Sequence, residues 1–440
     1  MSSNHNRLSA EEIVALNREY TFFSWSVQSA TNPIPMTHAE GVYFWDADGK
    51  KYIDFSSQLM NMNIGHQHPK VIRAIQEQAD RLSYAHPGMA TEPRGLLGHK
   101  IAQVSPGNLK KSFFCLGGAE ANENAIKIAR FYTGRHKIMA RYRSYHGATH
   151  GAIALTGDYR RLPAEPAISG VVHFLDPYCY RCPFGWTRDT CHRECIAHVE
   201  EVISYEGPDR IAAIIMEGVT GSNGLIVPPD DYWPRIRNIC DKYGILLISD
   251  EVMSGWGRTG KWFAVDHWDV VPDMITTAKG VTSGYVPLGV VVVSEPIADY
   301  FEDKMLWCGL TYSGHPLACA AGVATIDVYE EDGLLENAVK MGNYLGKRLE
   351  DIKLKHPSVG DVRYIGLFSA IEIVKNGITK IPIDPLTETG KFLRNNGLFT
   401  FIFHNILFVV PPLCVTTDQL EEGLEIMERA LEITDAMYEG

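Results

Sequence analysis

Between about residue 100 and residue 320 the chain alternates short apolar runs with stretches of helical period. The runs are KIMARY (137–142), IAAIIME (211–217), GILLISDE (244–251), MITTAK (274–279) and GVVVVS (289–294). Each is apolar almost throughout instead of alternating, as strands covered on both faces are. Amphipathic segments such as YWPRIRNICDKYG (232–244) lie between them. Strands alternating with helices predict an α/β unit around a largely parallel sheet. From 321 onward the pattern shifts to long helices, LLENAVKMGNYLGKRLEDIK and TDQLEEGLEIMERALEIT, with a few strands, which predicts a smaller α+β unit. Near the start, Ser9 and Glu12 match a capping box that opens a short helix. WDADGKKYID reads as a hairpin around Asp48-Gly49. Chain ends often lie close together. The expected division is 1–60 as a segment joining the small unit, 61–320 as the large domain and 321–440 as the small one.

Composition narrows the function class. The 440 residues are 45% hydrophobic and carry a formal net charge of −12. That charge argues against nucleic acid or an anionic membrane surface as the main partner, since both need clustered Lys and Arg. No run approaches the roughly 18 apolar residues of a membrane span. The opening stretch MSSNHNRLSAEEIVALNREY has no apolar core of a signal peptide, so the expected location is the cytoplasm. Nine cysteines do not read as a disulfide framework in a chain of this kind.

Candidate chemistry appears when the polar residue after each apolar run is noted, because ligands of open α/β sheets bind outside the carboxyl ends of the strands. IAAIIM ends in Glu217, ILLIS in Asp250-Glu251 and MITTA in Lys279, while KIMARYRS leads to Tyr145-His146-Gly147. Each alone reads as a solvated charge at a strand end. Together they converge on one edge of the sheet. Upstream, FFCLGGAEANENAIKIAR (113–130) is an apolar run, then Gly117-Gly118-Ala119, then a helix with Ala121, Ala125, Ile128 and Ala129 on one face. Free N–H groups at such a helix start hold an anion. The stretch matches neither the P-loop nor the three-glycine dinucleotide pattern, so it suits a phosphate that is not obviously a nucleotide's. A lysine desolvated in a cleft becomes nucleophilic toward carbonyls. An Asp holds a pyridine nitrogen protonated, and a Tyr ring stacks on a flat heterocycle. Pyridoxal phosphate uses all four features, and Lys279 is then its Schiff-base lysine.

These stretches, with GVYFWDADGKKYIDFSSQLMNMNIGHQHP, YRSYHGATHGAIALTG, SDEVMSGWGRTG, TTAKGVTSGYVPLGVVVVS, TYSGHPLACAAGVA and VPPLCVT, resemble class III aminotransferases of the pyridoxal-phosphate fold type I superfamily. The resemblance covers nearly the whole chain. It implies a mostly parallel, seven-stranded-type sheet in a large domain and a small domain formed by both chain ends. It gives Lys279 the covalent link and the proton transfers, and Asp250 the ring nitrogen. Val252 packs on the ring face opposite Tyr145, Gly118 and Ala119 bind phosphate, and Glu217 lies near the cofactor. Thr311 matches a threonine that reaches the phosphate of the neighbouring subunit, which implies a homodimer with shared active sites. Arg258 reads as structural as readily as functional.

The resemblance also sets expectations about substrate. Where relatives acting on ornithine or 4-aminobutyrate carry Gln, this chain has Met253, which favours the branch acting on amines or ω-amino acids with pyruvate. The segment GLFTFIFHNILFVVPPL (397–413) contains no Arg, although several relatives grip a substrate carboxylate with one there. Phe401 and Phe403 stand in that region and fit either an apolar substrate pocket or ordinary core. Phe22 and Trp25 in FFSWSVQ and Met60 in SSQLMNMN are candidate pocket walls, and each fits core packing equally. The expected reaction moves an amino group from a primary amine or ω-amino acid, of β-alanine, 4-aminobutyrate or taurine type, to pyruvate or a similar 2-oxo acid. A racemase, aminomutase or decarboxylating member of the same fold is the alternative, since the proton shift is common to all of them. Finally, CYRCPFGWTRDTCHREC holds Cys179, Cys182, Cys191 and Cys195 at spacings that resemble a zinc site. The gap between the pairs is short for a zinc ribbon, and the expectation is no metal.

Overall fold

The computed structural model describes residues 8–440. Its centre is a seven-stranded sheet in the order Leu109–Cys115, Gly289–Ser294, Met274–Thr277, Leu246–Asp250, Ile211–Glu217, Lys137–Arg141, Val171–Phe174. Alternate residues of its strands enter two separate cores. Leu247, Val290 and Val292 face one, while Ile248, Val291 and Val293 face the other. With no wet face, the strands have no polar positions to alternate with, so they read as unbroken apolar runs. The Gly118–Thr133 helix covers one face through Ala121, Ala125, Ile128 and Ala129. The Tyr232–Tyr243 helix covers the other through Trp233 and Ile236.

Four of the six strand pairs are parallel; Gly289–Ser294 is antiparallel to both its neighbours. The reason lies in the connection before it. Residues 278–288 hold only the turn Lys279–Val281 and no crossover helix, and a parallel return takes a crossover of a dozen or more residues. The Val171–Phe174 edge strand carries only four residues, too few to announce itself by periodicity.

The chain ends supply the remaining elements. The capping box at Ser9 and Glu12 is formed. Tyr43–Asp46 and Lys51–Asp54 pair antiparallel, with Asp46 Oδ1 accepting from the backbone N–H groups of Asp48 and Lys50 to close the turn. Lys51–Asp54 also pairs parallel with Leu398–Phe399. A second antiparallel sheet orders Val359–Ile365, Phe368–Ile373, Ile406–Val409 and Ile402–Phe403. Arg258 joins these parts from a fully buried position. Its guanidinium donates to the carbonyls of Leu367 and Pro411 and to the side-chain oxygens of Ser57 and Asn63. Burial pushes its pKa down to about 10, against the opposing pull of Tyr329 and Asp54. Among the described residues, no helix is long and apolar enough to cross a membrane.

Candidate active site

Five chain segments end at the same edge of the large sheet, and backbone register brings their polar groups level. Glu217 pairs with Asp250 across adjacent strands, and Asp250 with Thr276 on the next. Lys279 follows that strand, Tyr145 follows Lys137–Arg141, and Gly117 follows Leu109–Cys115. Together with Gly118, Ala119, Val252 and Met253 they line a cleft of about 460 Å³. A larger groove, about 1050 Å³, lies between residues 23–36 and 384–404 and contains none of these strand-end groups.

Asp250 is the most constrained group. Its Oδ1 accepts from the Val252 N–H at 3.0 Å, and its Oδ2 takes the Asn122 amide at 2.8 Å and lies 2.7 Å from His146 Nδ1. The carboxylate is therefore fixed in direction before any ligand arrives. Lys279 is half-buried and sits at φ +40°, a left-handed conformation that costs a non-glycine residue about 1–3 kcal/mol and is found where function requires it. Burial pushes its ammonium down to about 8, against the opposing pull of Asp250 and Glu217; Arg160 adds to the lowering. Glu217 accepts from Tyr145 N–H at 3.0 Å and Gly221 N–H at 2.7 Å, and burial holds its carboxyl above the usual range. It thereby fixes the backbone that presents the Tyr145 ring.

At the other side of the cleft, no side chain caps the Gly118–Thr133 helix, so its first N–H groups are left for an anion. Glycine is required at the approach: a Cβ on Gly118 would come within 2.8 Å of Val252 Cγ2, and one on Gly147 within 2.5 Å of Ala119 Cβ.

The chain belongs to the class III aminotransferases. The model of that family, Aminotransferase class-III, matches residues 25–431. The structure of taurine:2-oxoglutarate aminotransferase from Bifidobacterium kashiwanohense, in complex with PLP and glutamate, superposes with a TM-score of 0.94. It is 45% identical, over 98% of this chain and 99% of that one. Leucine/methionine racemase from Thermococcus litoralis is 40% identical over 91% of this chain and 90% of its own length. Taurine–pyruvate aminotransferase from Bilophila wadsworthia is 34% identical over 97% and 98%. The fold is that of pyridoxal-phosphate fold type I, the enzyme is an aminotransferase, and its cofactor is pyridoxal phosphate. The cleft fits this group. It offers an amine, a pre-oriented carboxylate, an aromatic ring and an uncapped helix start. Asn122 Oδ1 and His146 Nε2 remain buried without a partner beside Asp250.

Of the aminotransferase's sequence-derived site residues, Lys279, Asp250, Gly118, Ala119, Tyr145, Glu217 and Val252 line the one cleft. Thr311 is exposed and does not line this chain's own cleft. The substrate-wall candidates fall in different places. Phe22 is 94% exposed and touches nothing in the cleft. Met60 is turned into a core with Phe368 and Phe408, and its neighbour Leu59 lines the cleft instead. The cause is backbone: Ser57, Gln58, Leu59 and Met60 all have positive φ, so the segment winds left-handed and presents a different residue than extended chain would. Phe401 packs against the same core, its ring tilted 52° to that of Phe408 at 5.1 Å. Phe403 is not in the inner cleft either, but it borders a residue that sequence reasoning missed.

That residue is Arg160. Its guanidinium lies 4.2 Å from the Tyr145 ring centre and 5.1 Å from that of Phe403. Asp158 holds it through Nε and Nη2, and Ser222 Oγ accepts from Nη2 at 2.9 Å. Its side chain is only 10% exposed, and Nη1 donates to none of the described residues. Trp25 meets the Tyr145 ring edge-on at 6.1 Å. Arg160 follows no apolar run, lying instead in the short helical turn Tyr159–Ala164, so no strand-end rule points to it. Asn122 was hidden similarly, as one polar residue among several on a helix.

Proposed function

We propose that this aminotransferase takes an amino group from an ω-amino acid whose far end is an acid, of taurine, β-alanine or 4-aminobutyrate type. The acceptor is pyruvate or a similar 2-oxo acid such as 2-oxoglutarate. Arg160 carries the reading. It is a mostly buried guanidinium with one unused edge, stacked on Tyr145, and Arg forks pair with carboxylates and sulfonates through charge-assisted hydrogen bonds. It supplies the anion grip that residues 397–413 lack. Relatives support the class: taurine–pyruvate aminotransferase and 5-aminovalerate aminotransferase are both similar to this chain.

In this reading Gly118 and Ala119 hold the phosphate by backbone N–H, Asp250 the ring nitrogen, and Tyr145 and Val252 the two ring faces. Bound pyridoxal phosphate supplies an aldehyde for the amino group and a ring that takes up the electron pair released at the substrate carbon. Lys279 Nζ would take the proton from that carbon and hand it to the former aldehyde carbon, and the acceptor half would run the same transfer in reverse. Its depressed pKa keeps a useful fraction of the amine unprotonated near neutral pH. His146 and Asn122 position the Asp250 carboxylate. Leu59, Trp25 and Phe403 exclude water around the Arg160 grip.

We further propose a homodimer in which Thr311 completes the partner subunit's phosphate site. Met305, Trp307 and Tyr312 are large, exposed and apolar around Thr311, the kind of patch a subunit covers. The large unit is assigned 61–320 and the small one 1–60 with 321–440, supported by the pairing of Lys51–Asp54 with Leu398–Phe399. The cytoplasm is the proposed location.

Isomerisation is the second reading, favoured by the likeness to leucine/methionine racemase. Holoenzyme with taurine, β-alanine and 4-aminobutyrate against pyruvate and 2-oxoglutarate separates the two. New alanine or glutamate is expected. Interconversion of leucine or methionine enantiomers, with no product amino acid from any acceptor, would overturn the proposal.

A further inference from the structure

Outside the active site, the densest group of reactive side chains is the loop 176–195. Cys179 sits on a short helical turn, Cys182 just after it, Cys191 in the following loop and Cys195 in the first turn of the Glu194–Glu206 helix. None forms a disulfide. All four line one cavity of about 20 Å³, the size of a single small occupant. A second observation points the same way. Asp176 lines the same cavity, is nearly fully buried, and its Oδ1 has no hydrogen-bond partner; the nearest cation, Arg141 Nε, stands 4.0 Å off. Four soft sulfur donors and an unanswered buried carboxylate oxygen surround one ion-sized space.

We propose that Cys179, Cys182, Cys191 and Cys195 bind one soft divalent cation of the zinc type. Thiolates of this number and spacing select such an ion over magnesium or calcium. Among the described residues, no three His, Cys, Asp or Glu side chains already converge in coordinating geometry. Cys191 Sγ instead lies 2.8 Å from Arg193 Nη1. Binding therefore draws the sulfurs inward by side-chain rotation, and each thiol releases its proton as it ligates. The site is structural, with every coordination position filled by protein. Its consequence is mechanical. Tyr178 and Arg181 both engage Glu372 on the Phe368–Ile373 strand, and Lys380 Nζ donates to the Tyr180 carbonyl. Asp176 Oδ2 accepts from Arg143 N–H, two residues before Tyr145. The ion thus staples the second antiparallel sheet to the segment that carries the cleft aromatic.

Purified holoenzyme from zinc-supplemented cells is dialysed and its metal measured by mass spectrometry. About one zinc per chain is expected, retained in Cys308→Ser and lost in Cys182→Ser and Cys195→Ser. Cobalt(II) substitution is expected to give ligand-field absorption at wavelengths beyond the cofactor's. If the serine variants fail to fold, the wild-type chain still decides: Ellman's reagent under native conditions should modify four fewer thiols with zinc than after chelation. Metal at background level, equal thiol counts with and without zinc, or a disulfide joining any of these cysteines would overturn the proposal.

Discussion

The inner and outer walls of the cleft are built on different physical principles. The inner wall is strand ends. Asp250, Glu217 and Lys279 are held by register between neighbouring strands, and every oxygen of Asp250 and Glu217 has a named partner. The outer wall comes from outside the large sheet: Trp25 and Leu59 at positive φ, Arg160 in a short helical turn, and Phe403 in a two-residue strand. Trp25 is 62% exposed and Leu59 52%. The inner wall fixes a reaction common to many relatives. On the proposed reading the outer wall meets the part of the substrate that differs among them, and it tolerates change because little packing depends on it.

Lys279→Ala tests the inner wall most severely. Turnover is expected to fall by about 10⁴-fold, the upper range for a positioned acid–base group, with loss of the bound cofactor's characteristic absorbance. A fall of less than tenfold in single-turnover measurements would break the assignment. Mixing Lys279→Ala with Thr311→Ala chains then tests sharing of sites. Hybrid dimers pair an intact lysine with an intact threonine, so they are expected to regain activity that neither parent homodimer has.

His146→Ala removes one hydrogen bond to a buried carboxylate, worth about 2 kcal/mol, and kcat is expected to drop roughly 30-fold. The cofactor spectrum should become more pH-sensitive, which a merely packing role would not produce. Arg160→Leu tests the outer wall. The KM for taurine or β-alanine is expected to rise by roughly 30-fold, while kcat/KM for an amine lacking an acid group changes little. Equal losses on both donor types would erase the distinction between the walls.

The smallest effect is also the sharpest link between them. Lys279 acts as a free, unprotonated amine once the substrate has displaced it, so kcat should rise with pH through about 8. Because Arg160 helps to lower that value, Arg160→Leu should move the limb to higher pH. An unmoved profile would mean that the guanidinium and the lysine do not sense one another.

The legibility of the two walls in the sequence follows from their construction. Strand ends are readable because an apolar run stops abruptly, so Glu217, Asp250 and Lys279 stand out and one topological rule brings them together. Antiparallel Gly289–Ser294 carries the same apolar signature as its parallel neighbours, since burial on both faces erases any mark of direction. Met60 turns into the core for a reason sequence does not display: four successive left-handed residues at 57–60 reverse which side chain faces inward. Arg160 belongs to neither pattern, and its position depends on Asp158 and Ser222 holding it over Tyr145.

What the sequence by itself determined is the sheet, the ends of its strands and the chemistry set there, because local hydrophobic period and strand termination are written residue by residue. What only the tertiary structure decided is strand direction, the identity of the substrate wall and the discovery of its cation. Those depend on backbone turns and on contacts between segments far apart in the chain, where side chains meet because of packing and not because of spacing.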